Sequence, residues 1–459
     1  MILEQHYLGC LAQASYLIGD ERTREAAIVD PRRDVDEYLE VLQRNGLELK
    51  WVLLTHLHAD FVAGHLELAQ RTGCGIALAQ SAGAEFEHRG LSEGDAIALG
   101  DVRIEVVETP GHTPEGLTYL VYGPGDDPGA PHAALTGDTL FVGDVGRPDL
   151  AASTGTTADE LAGQLYDSLF GKLLKLPDKT LVYPGHGAGS MCGKNLSSDT
   201  WSTMGEQRRS NAALQVADRA AFIARATTGL PLAPAYFAYD ARQNKSDRAV
   251  LEEVKSSALK PLDVAALQIA VDGGAKVLDT RPGAAFAAGH WPGSIHVALD
   301  GKFASWVGTM VPPGVELVVI AEPGREEEAV TRLGRIGYDQ VRGFLQGGGE
   351  ALAAAGVPLS SFPRVSATEL KGLVDAAAAP ALIDIRTPGE WEGGHIDGAE
   401  HRLAGEPFIE AIPDLKGRDV ILVCGSGYRS TIAASLLLAA GAKSVSDLEG
   451  GMQAWNELD

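Results

Sequence analysis

Thr55-His56-Leu57-His58-Ala59-Asp60 is the segment from which both the architecture and the chemistry of this chain are best inferred. It directly follows an apolar run at residues 51–54, which is typical of a buried β-strand. Two histidines spaced two residues apart on a loop can point both imidazoles into one cavity, and the aspartate adds an oxygen ligand. The motif therefore predicts a metal site at the end of a strand.

Three later loops offer further metal-ligating groups, each in a Gly-rich turn after a short apolar run. They are Thr109-Pro110-Gly111-His112-Thr113-Pro114, Thr136-Gly137-Asp138-Thr139 and Tyr183-Pro184-Gly185-His186-Gly187. A rigid sheet positions ligands well on loops at its strand ends. One such histidine alone would be an ordinary solvated or hydrogen-bonded residue, but the four loops in this order indicate a metal centre.

The composition favours a globular protein of several domains. The 459 residues allow about three domains of roughly 150 residues, and a hydrophobic content of 45% is too high for a disordered chain. The net charge of −24 and the lack of a Lys/Arg-rich run exclude the electrostatic footprint of a nucleic-acid or anionic-membrane binder. No apolar stretch approaches the ~20 residues that span a bilayer.

Cysteine usage points to a reducing compartment. Cys10, Cys74, Cys192 and Cys424 lie far apart and form no C-x-x-C pair. The first residues show no basic region followed by an apolar run, as a signal peptide would. We therefore expect a cytoplasmic protein. We also expect a homo-oligomer, since dimers are the commonest assembly of soluble proteins.

The second half contains an internal repeat of alternating strand and helix, with copies of about 100 residues. Val277-Leu278-Asp279-Thr280-Arg281 is echoed by Leu382-Ile383-Asp384-Ile385-Arg386, and Gly289-His290 by Gly394-His395. Before the repeat, residues 212–224 have a helical pattern and residues 240–261 the character of a connecting segment. The chain therefore predicts one large α/β domain over 1–245 and two related small domains over 246–361 and 362–459.

A second chemical motif lies in the last domain, where apolar residues 420–423 lead into Cys424-Gly425-Ser426-Gly427-Tyr428-Arg429-Ser430. Residues 431–440 then have a helical pattern. A cysteine between a strand end and a helix start faces backbone N–H groups and the positive end of the helix dipole. With Arg429, these groups favour the thiolate, and the glycines let amides cradle an anionic persulfide or thiosulfate.

The first copy of the repeat keeps the framework without this chemistry. Where the cysteine should fall, the chain reads Ile320-Ala321-Glu322-Pro323-Gly324-Arg325-Glu326-Glu327-Glu328. This segment has no nucleophile, and its glutamates would repel an anionic sulfur ligand. We expect residues 246–361 to be catalytically inactive and to serve in spacing, docking or oligomer contact.

The metal-type motifs resemble those of the metallo-β-lactamase superfamily over about residues 1–240, which implies an αββα sandwich. Thiolester hydrolases of that superfamily carry H-x-H-x-D-H, whereas Phe61 follows the aspartate here. The pattern is similar to the persulfide dioxygenases, which hold one iron. The resemblance implies one Fe(II) per chain on a facial triad of His56, His112 and Asp138, with positions left open for substrate sulfur and oxygen.

The same resemblance assigns supporting roles and leaves the thiol carrier open. His58, Asp60 and His186 would orient the ligands and shape the pocket. Glutathione-using members continue after the last histidine with an Asp-Tyr pair, whereas this chain reads Gly187-Ala188-Gly189-Ser190. The persulfide could therefore be of the coenzyme A, cysteine or glutathione type. Cys192 is a candidate sulfur acceptor or an inert buried thiol, and Arg147 a candidate substrate clamp or half of a salt bridge.

The cysteine loop resembles the rhodanese active site over about residues 363–459, which implies α/β domains with parallel sheets. Residues that match the framework motif of that family are Asp384, Arg386, Glu390 and His395. The resemblance implies that Cys424 is the persulfide-carrying nucleophile and Arg429 its anion partner. The remaining loop residues that would bind sulfur or an anion are Gly425, Ser426, Gly427, Tyr428 and Ser430.

In this order the domains resemble the fused persulfide dioxygenase–rhodanese enzymes of sulfide detoxification. The hypothesis is that an iron-dependent reaction with O2 converts a persulfide, RSSH, to the thiol and sulfite. Cys424, loaded with sulfane sulfur from a second persulfide, would pass that sulfur to sulfite and form thiosulfate. Fusion would release sulfite near its acceptor and raise its effective concentration.

Two alternatives stay open. A zinc thiolester hydrolase of the glyoxalase II type with a rhodanese tail would use a metal-bound hydroxide at about neutral pH, although Phe61 disfavours it. A non-catalytic sulfur carrier or sensor is disfavoured by the complete ligand set. The residue types do not separate iron from zinc, since both metals accept imidazole and carboxylate.

Overall fold

The computed structural model describes residues 1–150, 155–230 and 232–458. It divides into two compact units. The first contains Met1–Leu251 together with Arg335–Gly337, and the second contains Glu252–Gly334 together with Tyr338–Asp459. None of the described helices is both long and apolar enough to cross a membrane.

Two mixed six-stranded sheets form the framework of the first unit. The first sheet follows the sequence order, with β1 (Ile2–Leu8), β2 (Gln13–Gly19), β3 (Glu25–Val29), β4 (Glu48–Leu53), β5 (Gly75–Ala79) and β6 (Arg89–Leu91). The second has the order β12-β11-β10-β9-β8-β7, with β7 (Ala96–Leu99), β8 (Val102–Glu108), β9 (Leu117–Tyr122), β10 (Ala133–Gly137), β11 (Leu181–Pro184) and β12 (Ser202–Thr203).

Helices cover both of these sheets, because each helix has one apolar face that packs against a sheet. The helices are α1 (Asp36–Asn45), α2 (His65–Thr72), α3 (Ala158–Gly171), α4 (Met204–Ser210), α5 (Arg219–Thr227) and α6 (Tyr236–Lys245). Tyr38 and Val41 of α1 pack against Ile28 of the first sheet. Leu165 of α3 packs against Val182 of the second sheet. Residues at i, i+3 and i+4 share a helix face, so this spacing directs the packing.

The second unit contains two five-stranded parallel sheets of the same topology. The first, in the order β13-β17-β16-β14-β15, has β13 (Pro261–Leu262), β14 (Lys276–Asp279), β15 (Ile295–His296), β16 (Leu317–Ile320) and β17 (Val341–Leu345). The second, in the order β18-β22-β21-β19-β20, has β18 (Arg364–Val365), β19 (Ala381–Asp384), β20 (Glu400–His401), β21 (Val420–Val423) and β22 (Val445–Leu448).

Helices connect the parallel strands, as parallel pairing requires. After α7 (Leu251–Ala258), the first copy has α8 (Val264–Asp272), α9 (Gly283–Ala288), α10 (Phe303–Met310), α11 (Glu326–Gly334) and α12 (Gly348–Ala354). The second has α13 (Ala367–Asp375), α14 (Pro388–Glu392), α15 (Glu406–Leu415), α16 (Tyr428–Ala439) and α17 (Gly451–Asn456). Strands β16 and β21 are buried along their whole length, which explains their continuous apolar sequences.

The predicted architecture is confirmed: an α/β domain with two mixed sheets precedes two α/β domains with parallel sheets. One local prediction was wrong. Residues 212–224 do not form one helix, because the Asp218 side chain accepts a hydrogen bond from the Ala221 N–H and starts a new helix, α5. The expected connecting segment at 240–261 contains the boundary between the two units, and it is partly helical, with the end of α6 and all of α7.

Candidate metal centre and sulfur-transfer loop

The predicted metal-binding residues follow strands from both sheets of the first unit. His56 follows β4, while His112, Asp138 and His186 follow β8, β10 and β11. Because β10 and β11 are parallel neighbours, Asp138 and His186 leave the sheet at the same edge. The edges of the two sheets are tied together where the Leu117 N–H donates to the Thr55 carbonyl at 2.7 Å.

His56, His112 and Asp138 come together as a buried cluster whose ligand atoms lie within 4.8 Å of one another. The Nε2 atoms of His56 and His112 are 3.9 and 3.6 Å from Oδ2 of Asp138. These are separations across which one ion could be shared, since metal–nitrogen and metal–oxygen bonds are each about 2.0–2.2 Å. The structure therefore brings together the three residues proposed as metal ligands.

A backbone carbonyl fixes the orientation of His112. Its Nδ1 lies 2.9 Å from the carbonyl oxygen of Arg147. A carbonyl oxygen only accepts, so Nδ1 carries the proton and Nε2 presents its lone pair to the cluster. Arg147 was singled out for its side chain, but its backbone is what touches the ligand.

A hydroxyl does the same for His56. Thr55 donates its hydroxyl proton to Oδ2 of Asp30 at 2.7 Å, so its oxygen accepts from Nδ1 of His56 at 2.8 Å. Burial and the neighbouring His58 lower the pKa of His56 and keep its imidazole neutral. Although burial opposes ionisation of Asp138, the adjacent His186 holds the pKa of that carboxyl below its usual range. Two imidazoles that turn Nε2 toward one carboxylate fit a divalent metal ion.

His186 lies between two carboxylates. Its Nδ1 is 2.8 Å from Oδ1 of Asp138 and its Nε2 is 3.0 Å from Oδ2 of Asp60. Burial disfavours its cation, but these two charges prevail and raise the pKa of His186 well above its ordinary value. The imidazolium thus orients Asp138 and links it to Asp60.

Cys192 also reaches this centre. Its sulfur lies with ligand atoms of Asp60 and His186 in a second buried cluster within 4.8 Å. Burial, together with the charges of Asp60 and Asp138, raises the pKa of the Cys192 thiol well above its ordinary value. The thiol is therefore protonated as the protein stands.

Two other predicted residues line the same region. The ring of His58 lies 4.1 Å from that of His56 and 4.3 Å from that of Phe61, and its Nε2 is 3.0 Å from Oδ1 of Asp30. The Arg147 guanidinium is buried and forms a bidentate ion pair with Asp149, with both distances 2.7 Å. Sequence reasoning missed Asp30 and Thr55, which no metal-ligand spacing marks.

The second predicted site lies at the end of β21. Cys424 is fully buried and its Sγ accepts a hydrogen bond from the Gly427 N–H at 3.1 Å. Gly427 has φ 83°, the left-handed conformation that glycine adopts readily, which lets the loop turn into α16. The Tyr428 hydroxyl donates to the Ala298 carbonyl at 2.7 Å, so the first copy of the repeat holds the loop.

Two arginines flank Cys424. Arg429 forms a bidentate ion pair with Glu390, and its hydrogen bonds lower the pKa of that carboxyl to about 2. Arg364, which the sequence did not single out, forms a bidentate ion pair with the buried Asp447. Two of the framework residues pair with each other, with Arg386 donating to Asp384.

Comparison with known families agrees with this architecture. The profile described as "Metallo-beta-lactamase superfamily" matches residues 8–186, and that described as "Rhodanese-like domain" matches residues 263–355 and 366–458. A crystal structure of a metallo-beta-lactamase from Staphylococcus aureus is 30% identical with a TM-score of 0.66, over 75% of this chain and 98% of that one. The chain belongs to the metallo-beta-lactamase superfamily. Within that superfamily it carries two rhodanese-like domains after the metallo-beta-lactamase domain.

Curated relatives of the metallo-beta-lactamase domain include mitochondrial persulfide dioxygenases ETHE1. The Mus musculus protein is 32% identical over 178 residues, which cover 38% of this chain and 63% of that protein. The Homo sapiens protein is 30% identical over 189 residues, which cover 40% and 68%. The match thus spans just under two thirds of the mouse protein. The chain is thus homologous to persulfide dioxygenases in its first domain and to rhodanese domains in the other two, an order that fits a dioxygenase–rhodanese fusion.

Proposed function

We propose that this protein is a persulfide dioxygenase coupled to a sulfurtransferase. The first domain would oxidise a low-molecular-weight persulfide with O2, giving the thiol and sulfite. The sulfane sulfur is oxidised, O2 is reduced, and water supplies the remaining oxygen of sulfite. Cys424 would then transfer a second sulfane sulfur to sulfite, giving thiosulfate.

One observation carries the first half of this proposal. His56 and His112 both present Nε2 lone pairs beside Asp138, in a motif where Phe61 stands in place of a further nitrogen ligand. Iron held by these three residues would supply the activation of O2. The donor set has one negative charge, so a divalent ion bound there would keep a net attraction for an anionic persulfide.

The chain's own groups prepare this centre. The Arg147 carbonyl and the Thr55 hydroxyl accept from Nδ1 of His112 and His56 and leave each Nε2 turned toward Asp138. His186 holds Asp138 ionised, and burial of the cluster keeps bulk water away from the three side chains that would hold the metal. The roles of His58, Asp60 and Cys192 around the ligands stay predictions, as does a substrate contact by Arg147.

The second half depends on Cys424. Its thiolate would attack the outer sulfur of a persulfide, forming a new S–S bond while the carrier leaves as a thiol. Sulfite would then attack the outer sulfur of the Cys424 persulfide, and the cysteine would leave as a thiolate. The Gly427 N–H is placed to stabilise the negative sulfur in both steps. Coenzyme A, cysteine and glutathione persulfides are all proposed substrates, and the reducing cytoplasm is the proposed compartment.

Metal analysis with O2 measurement tests this proposal. We expect about one iron per chain in purified protein, and O2 uptake on adding at least one of the three persulfides, whose relative rates would rank the carriers. His112→Ala should lose both metal and O2 uptake, whereas His132→Ala, at an exposed position outside the cluster, should keep both. Zinc without O2 uptake would overturn the dioxygenase and favour thiolester hydrolysis.

A further inference from the structure

The two copies of the rhodanese-like repeat share a scaffold, so the residues that differ between them are candidates for a role in sulfur transfer. In each copy an arginine donates to an aspartate at the end of a strand: Arg281 to Asp279 and Arg386 to Asp384. In each, a histidine Nε2 binds the carbonyl of that arginine, at 2.8 Å for His296 and 2.7 Å for His401. The inactive copy therefore keeps the framework.

The copies differ around Cys424 in more than the cysteine itself. β13 pairs with β17 through Pro261 and Phe344, at the register where β18 pairs with β22 through Arg364 and Asp447. Counting from the matched strand ends Ile320 and Val423, Ala321 and Glu327 take the places of Cys424 and Ser430. Because the inactive copy folds with Pro261 and Phe344, the scaffold does not require the Arg364–Asp447 pair.

The residues that differ form one hydrogen-bonded chain in the active copy. Ser430 lies 3.5 Å from Cys424 Sγ and donates its hydroxyl proton to Oδ2 of Asp447 at 3.1 Å. Since that proton is used, the Ser430 oxygen accepts from the Cys424 thiol. Asp447 is fully buried and accepts from Nε and Nη2 of Arg364, both at 2.9 Å.

The other charged and polar groups near the Cys424 thiol have partners of their own. Arg429 is paired with Glu390, and Glu449 lies 3.7 Å from Nη1 of Arg364. The Thr431 hydroxyl donates to the Gly427 carbonyl at 2.6 Å and lies 3.4 Å from Asp447. A cavity of about 420 Å³ borders Arg364 and Thr431, whereas Cys424, Ser430 and Asp447 are fully buried.

We propose that Ser430 and Asp447, positioned by Arg364, form a proton relay for Cys424. As Sγ attacks a sulfane sulfur, the thiol proton passes to the Ser430 oxygen and the Ser430 proton passes to Asp447. The new S–S bond forms as the bond from the sulfane sulfur to its leaving group breaks, and the leaving group keeps the electron pair. The proton returns when Cys424 is released as a thiolate. This relay rests on the sulfur transfer proposed for Cys424.

Loading of Cys424 by thiosulfate tests the relay in the full-length protein. Mass spectrometry of the Cys424 peptide follows the gain of one sulfur atom. We expect Ser430→Ala and Asp447→Asn to slow loading about 100-fold near pH 6, since proton transfer by positioned groups contributes about 10²–10⁴-fold. The difference in loading rate between these variants and the parent protein should become smaller as the pH rises, because the Cys424 thiolate then forms without the relay. Ser430→Thr, which keeps the hydroxyl, should load normally.

A matched pair of surface residues provides the control. Ser444 donates to the exposed Asp419 in the same domain, so Ser444→Ala and Asp419→Asn remove the same groups away from the cysteine. The relay would be overturned if Ser430→Ala and Asp447→Asn gained sulfur on Cys424 as fast as these controls. It would also be overturned if their rates were reduced by the same factor at every pH. If Asp447→Asn fails to fold, Ser430→Ala decides, since it leaves the Arg364 pair intact. Undiminished sulfur transfer by Cys424→Ser would instead overturn the proposed sulfurtransferase function.

Discussion

Arg429 and Glu390 form a bidentate ion pair beside Cys424, with nitrogen–oxygen distances of 2.5 and 2.8 Å. Glu390 is also held by the Thr387 backbone N–H in a capping box at the start of α14. The pair therefore fixes the guanidinium to a helix start, and the positive charge next to the thiol keeps one position.

Replacing this carboxylate should alter how stability depends on pH. The hydrogen bonds from Arg429 lower the pKa of Glu390 to about 2 in the folded protein, against about 4.3 in an unfolded chain. Its stabilising contribution is therefore present above about pH 4.3 and is lost as the pH falls through 2. For Glu390→Gln we expect a loss below about 1 kcal/mol at pH 6 that shrinks at pH 3, measured by denaturant unfolding. An equal loss in the free energy of unfolding at pH 6 and pH 3 would contradict this prediction. So would the same pH-dependent loss in the control Glu392→Gln.

The Thr55 hydroxyl should matter for metal affinity. Thr55→Val keeps the shape but removes the oxygen that fixes Nδ1 of His56. Loss of such an orienting contact typically costs about 10–100-fold in metal affinity, and we expect that range from competition with a chelator. Thr180→Val, which removes another buried hydroxyl that donates to the Pro131 carbonyl, should leave metal affinity unchanged. Equal affinities of Thr55→Val and the parent protein would show that His56 needs no such support.

Gly146 should tolerate no side chain. A Cβ there would lie 1.9 Å from the Asp138 carbonyl oxygen and 3.0 Å from Cβ of His112, so Gly146→Ala must displace both ligand loops. We expect a loss of about 1–3 kcal/mol in the free energy of unfolding and a reduced metal content. Gly171→Ala, where a Cβ would meet nothing within 4 Å, is the matched control. A fully metal-loaded Gly146→Ala protein would contradict the packing described for this loop.

The residues of the candidate metal cluster could be predicted to lie together from the sequence, because each has a side chain typical of metal ligands and follows a recognisable strand. The strand at residues 420–423 could also be predicted, since a strand buried on both faces is continuously apolar. The contacts that orient these groups were not readable. The Arg147 carbonyl has no sequence signature, and Arg364 meets Asp447 only through the pairing of β18 with β22.

Local helix boundaries failed for a related reason. The apolar spacing over residues 212–224 is compatible with one helix, but Ala212–Leu214 form a short 3-10 turn and the Asp218 side chain caps a new helix after it. A cap competes with the continuing helix by a margin of about 1 kcal/mol, which tertiary packing decides. The apolar pattern by itself could not reveal where the helix restarts.

Buried His296 should make the second unit sensitive to acid. Burial lowers the pKa of His296 to about 4 in the folded protein, against about 6.5 in the unfolded chain. Between these pH values the unfolded chain binds a proton at this histidine and the folded protein does not. Stability is complete above pH 6.5 and should fall by about 3 kcal/mol as the pH drops to 4. His296→Gln should flatten this slope, as followed by denaturant unfolding, while His395→Gln, at an exposed position, should not. An unchanged slope in His296→Gln would contradict the assignment.

The products formed by Cys424→Ser test the proposed coupling between the metal-centre domain and the last rhodanese-like domain. The substitution removes the sulfur carrier and leaves His56, His112 and Asp138 untouched. With persulfide and O2 we expect O2 uptake to continue at the parent rate, while thiosulfate formation falls and sulfite accumulates in its place. Unchanged thiosulfate formation by Cys424→Ser, or loss of O2 uptake from a protein that keeps its iron, would contradict a dioxygenase that hands sulfite to this cysteine.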